Sequence, residues 1–143
     1  MKIKKLLSAA AAGIGVIFGI IPTDCKAAVD VNSLEGLLKA IAQVESNGDS
    51  SAYNHKENAA GPYQIRPVYL KDVNRIVGYE KYRLEDRFDA LKAKEMVVTY
   101  LSHYGKHKSL EALARIHNGG PRGDKKKSTL RYWQKVKKAM EAK

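Results

Sequence analysis

Residues 33–46 read SLEGLLKAIAQVES and predict an amphipathic helix. Apolar residues recur there at the spacing of one helical face. They are Leu34, Leu37, Leu38, Ile41 and Val44. Asn32 can cap the start of this helix, and Gly48 can end it. We therefore expect the apolar stripe to pack against the core of the domain.

Glu45 lies on the same face, four residues after Ile41 and seven after Leu38, at the C-terminal end of the helix. Burial and the negative end of the helix dipole both disfavour an ionised carboxylate, so we expect a raised pKa. A carboxyl group that keeps its proton near neutral pH suits a glycosidase, which must protonate a leaving oxygen. The alternative is a structural Glu paired with an Arg, or one facing solvent at the helix end, and the pattern alone favours this alternative.

Four more helices are predicted from apolar spacing and turn residues, near residues 67–77, 86–104 and 110–117 and from about residue 129. The residues expected to face inward in the third and last helices are Phe88, Leu91, Val98, Leu101, Trp133, Val136 and Met140. A loop rich in Ser, Asn and Gly follows the first helix, and residues 63–65 form a short strand or an irregular segment. The expected fold class is α+β and predominantly helical.

The N-terminus has the order of a secretory signal peptide. A cationic stretch, residues 1–5, precedes 16 uncharged residues, 6–21, and a polar stretch that ends in Ala27 and Ala28. We predict cleavage after Ala27, which gives a signal peptide of residues 1–27, a domain of residues 28–143 and a secreted or periplasmic protein. An uncleaved anchor is the alternative, but the apolar run is shorter than the roughly 20 residues that span a bilayer.

The chain carries a formal charge of +11, and the predicted leader holds four of the positive charges and one negative charge, which leaves +8. A charge of this size favours polyanionic partners, among which we expect the anionic bacterial envelope. Nucleic acid is not expected, because aromatic residues do not alternate with basic ones and the leader points to export. Stable membrane insertion after cleavage is not expected either.

Two loop carboxylates, Glu57 and Asp49, are candidates for a second acidic group opposite Glu45. Retaining glycosidases place the two carboxyl groups about 5–5.5 Å apart, and inverting ones about 6.5–9.5 Å. Ordinary solvated loop residues would have the same sequence pattern. The sequence does not decide between them.

Two glycine-containing segments are candidate binding loops. Gln64, in the segment Gly-Pro-Tyr-Gln-Ile of residues 61–65, can bind an acetamido group or a water. The segment His-Asn-Gly-Gly-Pro, residues 117–121, allows a ligand to approach the backbone closely. Each is also explained by a structural turn. The four histidines lack zinc-site spacing, so neither a metal nor another cofactor is expected.

Six segments together resemble the invertebrate-type, or destabilase-like, lysozymes. They are VES (44–46), GPYQI (61–65), YLKD (69–72), YLSHYG (100–105), ARIHNGGPRG (114–123) and TLRYW (129–133). The resemblance covers nearly the whole of residues 28–143, and the ARIHNGGP run is its most specific part. The wider lysozyme-like superfamily, which includes lytic transglycosylases, shares the Glu-Ser pair followed by a Gly and a Gln-Ile.

The resemblance implies a lysozyme-like fold with a small irregular or β segment beside a cleft. It also implies hydrolysis of the β-1,4 bond between N-acetylmuramic acid and N-acetylglucosamine in peptidoglycan glycan strands. Glu45 matches the family's acid, and Glu57 stands nearest to the position of its catalytic Asp. The residues that match cleft-lining segments are Gln64, Arg66, Tyr69, Tyr100, His117, Asn118 and Gly119. Animal members are rich in disulfides, and the corresponding positions here are Ala40, Ala42, Ala60, Val73 and Asp124.

Two rival functions stay open at this stage. A lytic transglycosylase needs Glu45 alone, because a hydroxyl of the substrate closes an anhydro ring. A cationic envelope-binding protein without catalysis would need neither carboxylate.

Overall fold

The computed structural model describes residues 30–142, which form five α-helices, a two-stranded hairpin and three short 3-10 helices. The α-helices are α1 (Val31–Ser46), α2 (Pro67–Val77), α3 (Ala90–Tyr104), α4 (Leu110–Gly119) and α5 (Leu130–Glu141). The strands are β1 (Tyr53–Asn54) and β2 (Ala59–Ala60), and the 3-10 helices span Leu84–Phe88, Gly123–Lys125 and Lys127–Thr129. The predicted class, predominantly helical with a small β segment, is confirmed. The predicted signal peptide, residues 1–27, lies outside the described residues.

Helix α1 packs the predicted stripe into the core: Leu37, Leu38 and Ile41 are buried. Its ends differ from the prediction. Asn32 lies inside the helix and does not cap it, because the helix already begins at Val31. The C-terminus is closed by Asn47 in the left-handed region (φ 56°), whose N–H donates to the carbonyl of Gln43.

The core lies between α1, α3, α4 and α5. Its fully buried side chains include Met96 and Val97 from α3, Ile116 from α4 and Val136 from α5. Helix α1 makes its most extensive helix contacts with α5, so the two ends of the described chain lie side by side.

The single predicted helix at residues 86–104 is wrong, because it is divided at Asp89. The Asp89 carboxylate accepts hydrogen bonds from the backbone N–H groups of Leu91 and Lys92 and starts α3 there. The preceding residues form the 3-10 helix, so Phe88 and Leu91 do not face inward as expected, and Leu91 is 77% exposed. The buried face of α3 is Ala93, Met96, Val97, Tyr100 and Leu101.

The buried Arg87 holds the hairpin in place. Its guanidinium donates to the carbonyls of Asn58 (2.7 Å) and Ile65 (2.9 Å), on either side of the turn at Gly61. Gly61 has a φ of +75°, and a Cβ there would lie 1.8 Å from the Arg87 carbonyl oxygen. This contact fixes the loop that carries Glu57, because neither partner can move without losing buried hydrogen bonds.

Three of the positions that the resemblance matches to cysteines are buried here: Ala40, Ala60 and Val73. At these positions close packing of the core takes the place of the disulfides that the resemblance implies. Within residues 30–142 no helix is long and apolar enough to cross a membrane.

Candidate active site

A small cleft of about 140 Å³ opens where the end of α1 meets the hairpin and the end of α4. Its lining residues are Glu45, Asn54, Glu57, Ala59, Gln64, Arg66, Tyr69, His117 and Asn118. The structure thus brings together residues that are up to 73 positions apart in the sequence. Seven of the nine candidates predicted from the sequence line this cleft, and an eighth, Tyr100, lines the adjoining groove described below.

Glu45 is largely removed from solvent, with 19% of its side chain exposed. Burial raises the pKa of its carboxyl group above the ordinary value, because the ionised form loses hydration. A hydrogen bond from the Tyr132 hydroxyl to Oε1 (2.8 Å) works in the opposite direction and lowers that pKa, but the net change is upward. The site therefore favours a protonated carboxyl group facing a cleft.

His117 lies beside this carboxyl group, with Nε2 3.6 Å from Oε1 of Glu45. Complete burial lowers the pKa of His117 to about 4, so the imidazole is neutral at neutral pH. The two groups are as close as an ion pair, but the His117 ring carries no charge at neutral pH. A neutral ring leaves the proton on Glu45, whereas an imidazolium would stabilise the ionised carboxylate.

Two stacked tyrosines, Tyr69 and Tyr100, lie beside His117, and Tyr69 contacts its ring. The Tyr69 hydroxyl lies 3.4 Å from Nδ1 of His117, and the Tyr69 ring stacks on Tyr100 with centroids 3.8 Å apart. Burial raises the pKa of Tyr69 well above its ordinary value, so its hydroxyl stays protonated. Tyr100 supports the cleft from behind and faces a neighbouring groove.

Glu57 faces the cleft from the hairpin and is 59% exposed. Its Oε2 lies 4.0 Å from Nη1 of Arg66, and Nη2 of Arg66 donates to the carbonyl of Asn118 (3.4 Å). Asp49 is placed differently. Its Oδ1 accepts from the backbone N–H and the hydroxyl of Ser51, in an exposed turn away from the cleft. Of the two candidate second carboxylates, the structure brings only Glu57 to the site.

Gln64 lines the cleft with its amide fixed by the loop backbone. Its φ is 47°, and Nε2 donates to the carbonyls of Gly61 (2.9 Å) and Ala52 (3.3 Å). Among residues 30–142 no donor bonds to Oε1, which leaves that oxygen as the acceptor this side chain can offer a ligand.

Gly119 does not line the cleft. A Cβ at this position would lie 2.6 Å from Cγ2 of Thr129, so the glycine is needed for packing against that residue. The next residue, Gly120, has a φ of +85° and faces the neighbouring groove. The closely approachable backbone expected at Gly119 is therefore supplied one residue later.

Sequence reasoning did not single out Tyr132 or Ser46 as site residues. The hydroxyl of Ser46 donates to the carbonyl of Pro62 (2.9 Å) and ties the end of α1 to the loop that carries Gln64. Both residues belong to segments that carry the family resemblance, but only the pairing of α1 with α5 places Tyr132 at Glu45.

The cleft opens into a larger groove of about 1130 Å³ along α2, and the two share Arg66, Tyr69 and His117. Among the described residues no cluster of His, Cys, Asp and Glu side chains could hold a metal ion. A predominantly helical domain in which a largely buried acid lines a cleft that adjoins a larger groove is typical of the lysozyme-like, glycan-cleaving class of protein.

Comparison with known proteins agrees with this class. The model of the family described as "Transglycosylase SLT domain" matches residues 25–140. The chain is 32% identical to a lysozyme of Magallana gigas, over 85% of this chain and 88% of that one. It is 36% identical to invertebrate-type lysozyme 6 of Caenorhabditis elegans, over 55% of this chain and 65% of the nematode protein.

A solved structure of inhibitor-bound lysozyme from Meretrix lusoria superposes with a TM-score of 0.63 at 29% identity, covering 73% of this chain and 88% of that one. The chain belongs to the transglycosylase SLT domain family. The resemblance to invertebrate-type lysozymes is confirmed, and with it the prediction of a muramidase, which is a glycoside hydrolase.

Proposed function

We propose that this muramidase cleaves the β-1,4 bond between N-acetylmuramic acid and N-acetylglucosamine with Glu45 as the general acid. The observation that carries the proposal is the Glu45 carboxyl group, buried at the mouth of the cleft with a raised pKa. Because Oε1 accepts the Tyr132 hydrogen bond, the acidic proton is carried by Oε2. Transfer of that proton to the glycosidic oxygen lets the leaving sugar depart as an alcohol.

Glu57 is the proposed second carboxylate. It faces the same cleft, and its negative charge raises the pKa of Glu45, although this effect is smaller than that of burial. The Glu57 carboxylate either bonds to the anomeric carbon as the protonated leaving oxygen departs, or takes a proton from the water that attacks that carbon. Arg66 is close enough to compensate the Glu57 charge and to orient the side chain.

The remaining cleft residues are proposed to bind the sugars. Gln64 offers Oε1 to an acetamido N–H, Asn118 offers an exposed amide, and His117 offers a neutral ring beside the scissile bond. Arg66, Tyr69 and Tyr100 form the wall that continues toward the groove.

The decisive experiment measures the clearing of purified peptidoglycan by wild type and by Glu45→Gln. Loss of a general acid lowers the rate by about 10²–10⁴-fold. Glu141→Gln is the matched control, because this carboxylate is exposed at the end of α5. Clearing by Glu45→Gln at the wild-type rate would contradict the proposal and would favour a cationic binding protein without catalysis.

A lytic transglycosylase is the second candidate, favoured by the family whose model matches residues 25–140. In that reaction a hydroxyl of the substrate attacks the anomeric carbon, so Glu57 has no covalent role. Mass spectrometry of the digest separates the two: reducing ends indicate hydrolysis, and anhydro ends indicate transglycosylation. Glu57→Gln lowers turnover strongly in the two-carboxylate hydrolase and little in the transglycosylase, with Asp49→Asn as the control.

The proposed site of action lies outside the cytoplasm. The order of residues 1–27, cationic, then apolar, then small, supports export and cleavage after Ala27. The expected N-terminus of the exported protein is Ala28, which mass spectrometry of material from the medium or periplasm measures. A protein that retains residues 1–27 would contradict this part of the proposal.

The proposed partner besides the glycan is the anionic cell envelope. The exposed cationic residues near and along α5 support it: Arg122, Lys125, Lys126, Lys127, Arg131, Lys135, Lys137 and Lys138. Attraction between exposed charges is screened by salt. Binding to isolated walls is therefore expected to weaken between low and physiological ionic strength, and binding that does not change with salt would argue against this role.

A further inference from the structure

Arg87 is a buried cation that bonds to neutral groups. Only 4% of the residue is exposed, and among residues 30–142 no carboxylate lies within 4.0 Å of its guanidinium. Nε donates to the carbonyl of Leu84 (2.8 Å), and Nη1 donates to the carbonyls of Asn58 (2.7 Å) and Ile65 (2.9 Å). A buried charge is costly unless its donors are satisfied, so this cation serves to hold backbone rather than to pair with an acid.

The residue that Arg87 holds with the most hydrogen bonds is Asn58, which directly follows the proposed second carboxylate, Glu57. Asn58 has a φ of 51°, in the left-handed region that a residue with a side chain disfavours. Arg87 bonds to both of its oxygens, with Nη1 on the carbonyl and Nη2 on Oδ1 (3.4 Å), and the Tyr53 hydroxyl donates to the same Oδ1 (2.9 Å). Such a backbone conformation persists only where its surroundings enforce it. Arg87 therefore maintains the bend that follows Glu57.

Glu57 depends on this bend because its own side chain is loosely held. The side chain is 59% exposed, and the cation that approaches it among the described residues is Arg66, at 4.0 Å. The turn that carries it is fixed through the backbone. At the start of the turn, Oδ1 of Asn54 accepts from the N–H groups of Lys56 (3.1 Å) and Glu57 (3.4 Å). The end of the turn is the bend just described, so the direction of the Glu57 side chain follows from contacts on either side of it.

We propose that Arg87 is a positioning residue for the Glu57 carboxylate, and that it thereby determines what fraction of cleavages ends in hydrolysis rather than in an anhydro ring. The inference rests on the proposed function, in which Glu57 is the second carboxylate. Arg87 lines neither the cleft nor the larger groove, so it acts through the turn and does not touch the substrate.

The two outcomes share their first step and differ in what reaches the anomeric carbon. Glu45 gives its proton to the glycosidic oxygen, and the bond from that oxygen to the anomeric carbon breaks. In hydrolysis a water oxygen bonds to this carbon, either directly, with its proton going to Glu57, or after a Glu57 ester has formed, with its proton going to Glu45. In the competing route a hydroxyl of the same sugar closes on the carbon and gives its proton to the ionised Glu45, so no water is used. Only hydrolysis needs Glu57 in place, and displacement of its turn therefore favours the anhydro ring.

The test counts reducing and anhydro ends by mass spectrometry after digestion of purified peptidoglycan. In Arg87→Met the ratio of anhydro to reducing ends should rise by about 10- to 100-fold, because a displacement of about 1 Å can cost about 10²-fold in rate. Arg87→Lys should give a smaller rise. Its single nitrogen can reach a carbonyl but cannot reproduce the planar fork that bonds to Asn58, Ile65 and Leu84 together.

A double variant shows whether Arg87 acts through Glu57. Glu57→Gln defines the ratio reached without the second carboxylate, and Glu57→Gln/Arg87→Met should give the same ratio, since the two changes remove one effect. Met96→Ala is the matched control, because it destabilises the fold from a fully buried position in α3. The control should keep the wild-type ratio. The ratio counts only cleavage events, so it does not depend on how much of a variant is folded.

Asn58→Gly decides the question if Arg87→Met does not fold. Glycine adopts many conformations besides the left-handed one, so the bend loosens while the buried cation keeps its carbonyl partners, and the ratio should again rise. If Arg87→Lys and Asn58→Gly both keep the wild-type ratio, Arg87 only stabilises the fold and the inference is wrong. Formation of anhydro ends alone by wild type also overturns it, but leaves Glu45 as the proposed acid. Absence of any cleavage by wild type contradicts the proposed function, and the inference with it.

Discussion

The Tyr132 hydroxyl, in the first turn of α5, donates a 2.8 Å hydrogen bond to Oε1 of Glu45, in the last turn of α1. The two residues are 87 positions apart, and their pairing follows from the packing of α1 against α5. Burial raises the pKa of Glu45, and the Tyr132 hydrogen bond limits that rise. The pKa of Glu45 is thus set both by its burial at the end of α1 and by the Tyr132 hydroxyl of α5.

Tyr132→Phe tests this relationship. Removal of a donor that lowers the Glu45 pKa raises that pKa further, so the alkaline limb of the kcat/KM profile should move to higher pH. The rate at the optimum should fall by about 2- to 10-fold, the worth of one hydrogen bond that orients the acid. The pH dependence of peptidoglycan clearing measures both effects. Tyr53→Phe, which removes a hydroxyl bonded to Asn58 on the exposed hairpin, should leave the limb in place.

Glu45→Gln is expected to stabilise the fold at alkaline pH. The pKa of Glu45 is raised in the folded state. The contribution of this carboxyl group to stability is therefore fully present below the unfolded value of 4.5 and is lost as pH rises through the folded pKa. An uncharged amide avoids that loss. At pH 8 the variant should exceed wild type by about 1 kcal/mol, a common gain when a functional residue is neutralised. Urea unfolding at pH 4 and pH 8 measures the gap, and a gap that does not change with pH would show that Glu45 ionises freely.

His117 has the opposite effect on stability in acid. Its pKa is about 4 in the fold and 6.5 as the ordinary value, so the unfolded chain takes up a proton between these pH values that the folded chain refuses. Stability is therefore lost as pH falls from about 6.5 to about 4. At about 1.4 kcal/mol for each pKa unit, the loss is about 3 kcal/mol.

His117→Gln should remove this part of the pH dependence. Urea unfolding at pH 7 and pH 4 is the measurement, and wild type should lose about 3 kcal/mol more than the variant over that interval. Titrating groups away from His117 are shared by both proteins and cancel in the comparison, and repeating it in the Glu45→Gln background removes the contribution of the neighbouring carboxyl group. Equal losses would mean that the imidazole is accessible to protons in the folded state.

Two glycines should respond in opposite directions to replacement by alanine. A Cβ at Gly123 would lie 2.0 Å from the carbonyl oxygen of Arg115, so Gly123→Ala forces α4 away from the following turn. We expect a loss of about 2–4 kcal/mol, the range for overpacking combined with backbone displacement. Gly36, inside α1, has no atom within 4 Å of such a Cβ, and Gly36→Ala should stabilise by about 0.5–1 kcal/mol through helix propensity. Thermal unfolding of both variants measures the change in stability, which should be a loss for Gly123→Ala and a gain for Gly36→Ala.

The sequence predicted the local features well. The stripe of α1 and the position of Glu45 follow from the helical period, because Leu37, Leu38 and Ile41 determine which face is buried. The start of α2 at Pro67 and the end of α4 near the Gly-Gly pair were also predictable, since these residues restrict the backbone directly.

Long-range relationships were not predictable in the same way. Apolar spacing alone placed Phe88 and Leu91 inside, because it cannot show that the Asp89 cap divides the helix and changes its phase. Asp49 and Glu57 could not be separated by the loop pattern alone, although the resemblance pointed to Glu57, and the fold of the hairpin separates them. Tyr132 reaches Glu45 through the pairing of α1 and α5, which no local pattern encodes.

The contact between the first and last helices also orders events during biosynthesis. Translation makes Glu45 87 residues before Tyr132, so in the interval the chain has the acid without its hydroxyl partner and without the core residue Val136. The cleft reaches its working geometry only when α5 docks against α1. The hydrogen bond that completes the environment of the Glu45 carboxyl group therefore forms late in folding.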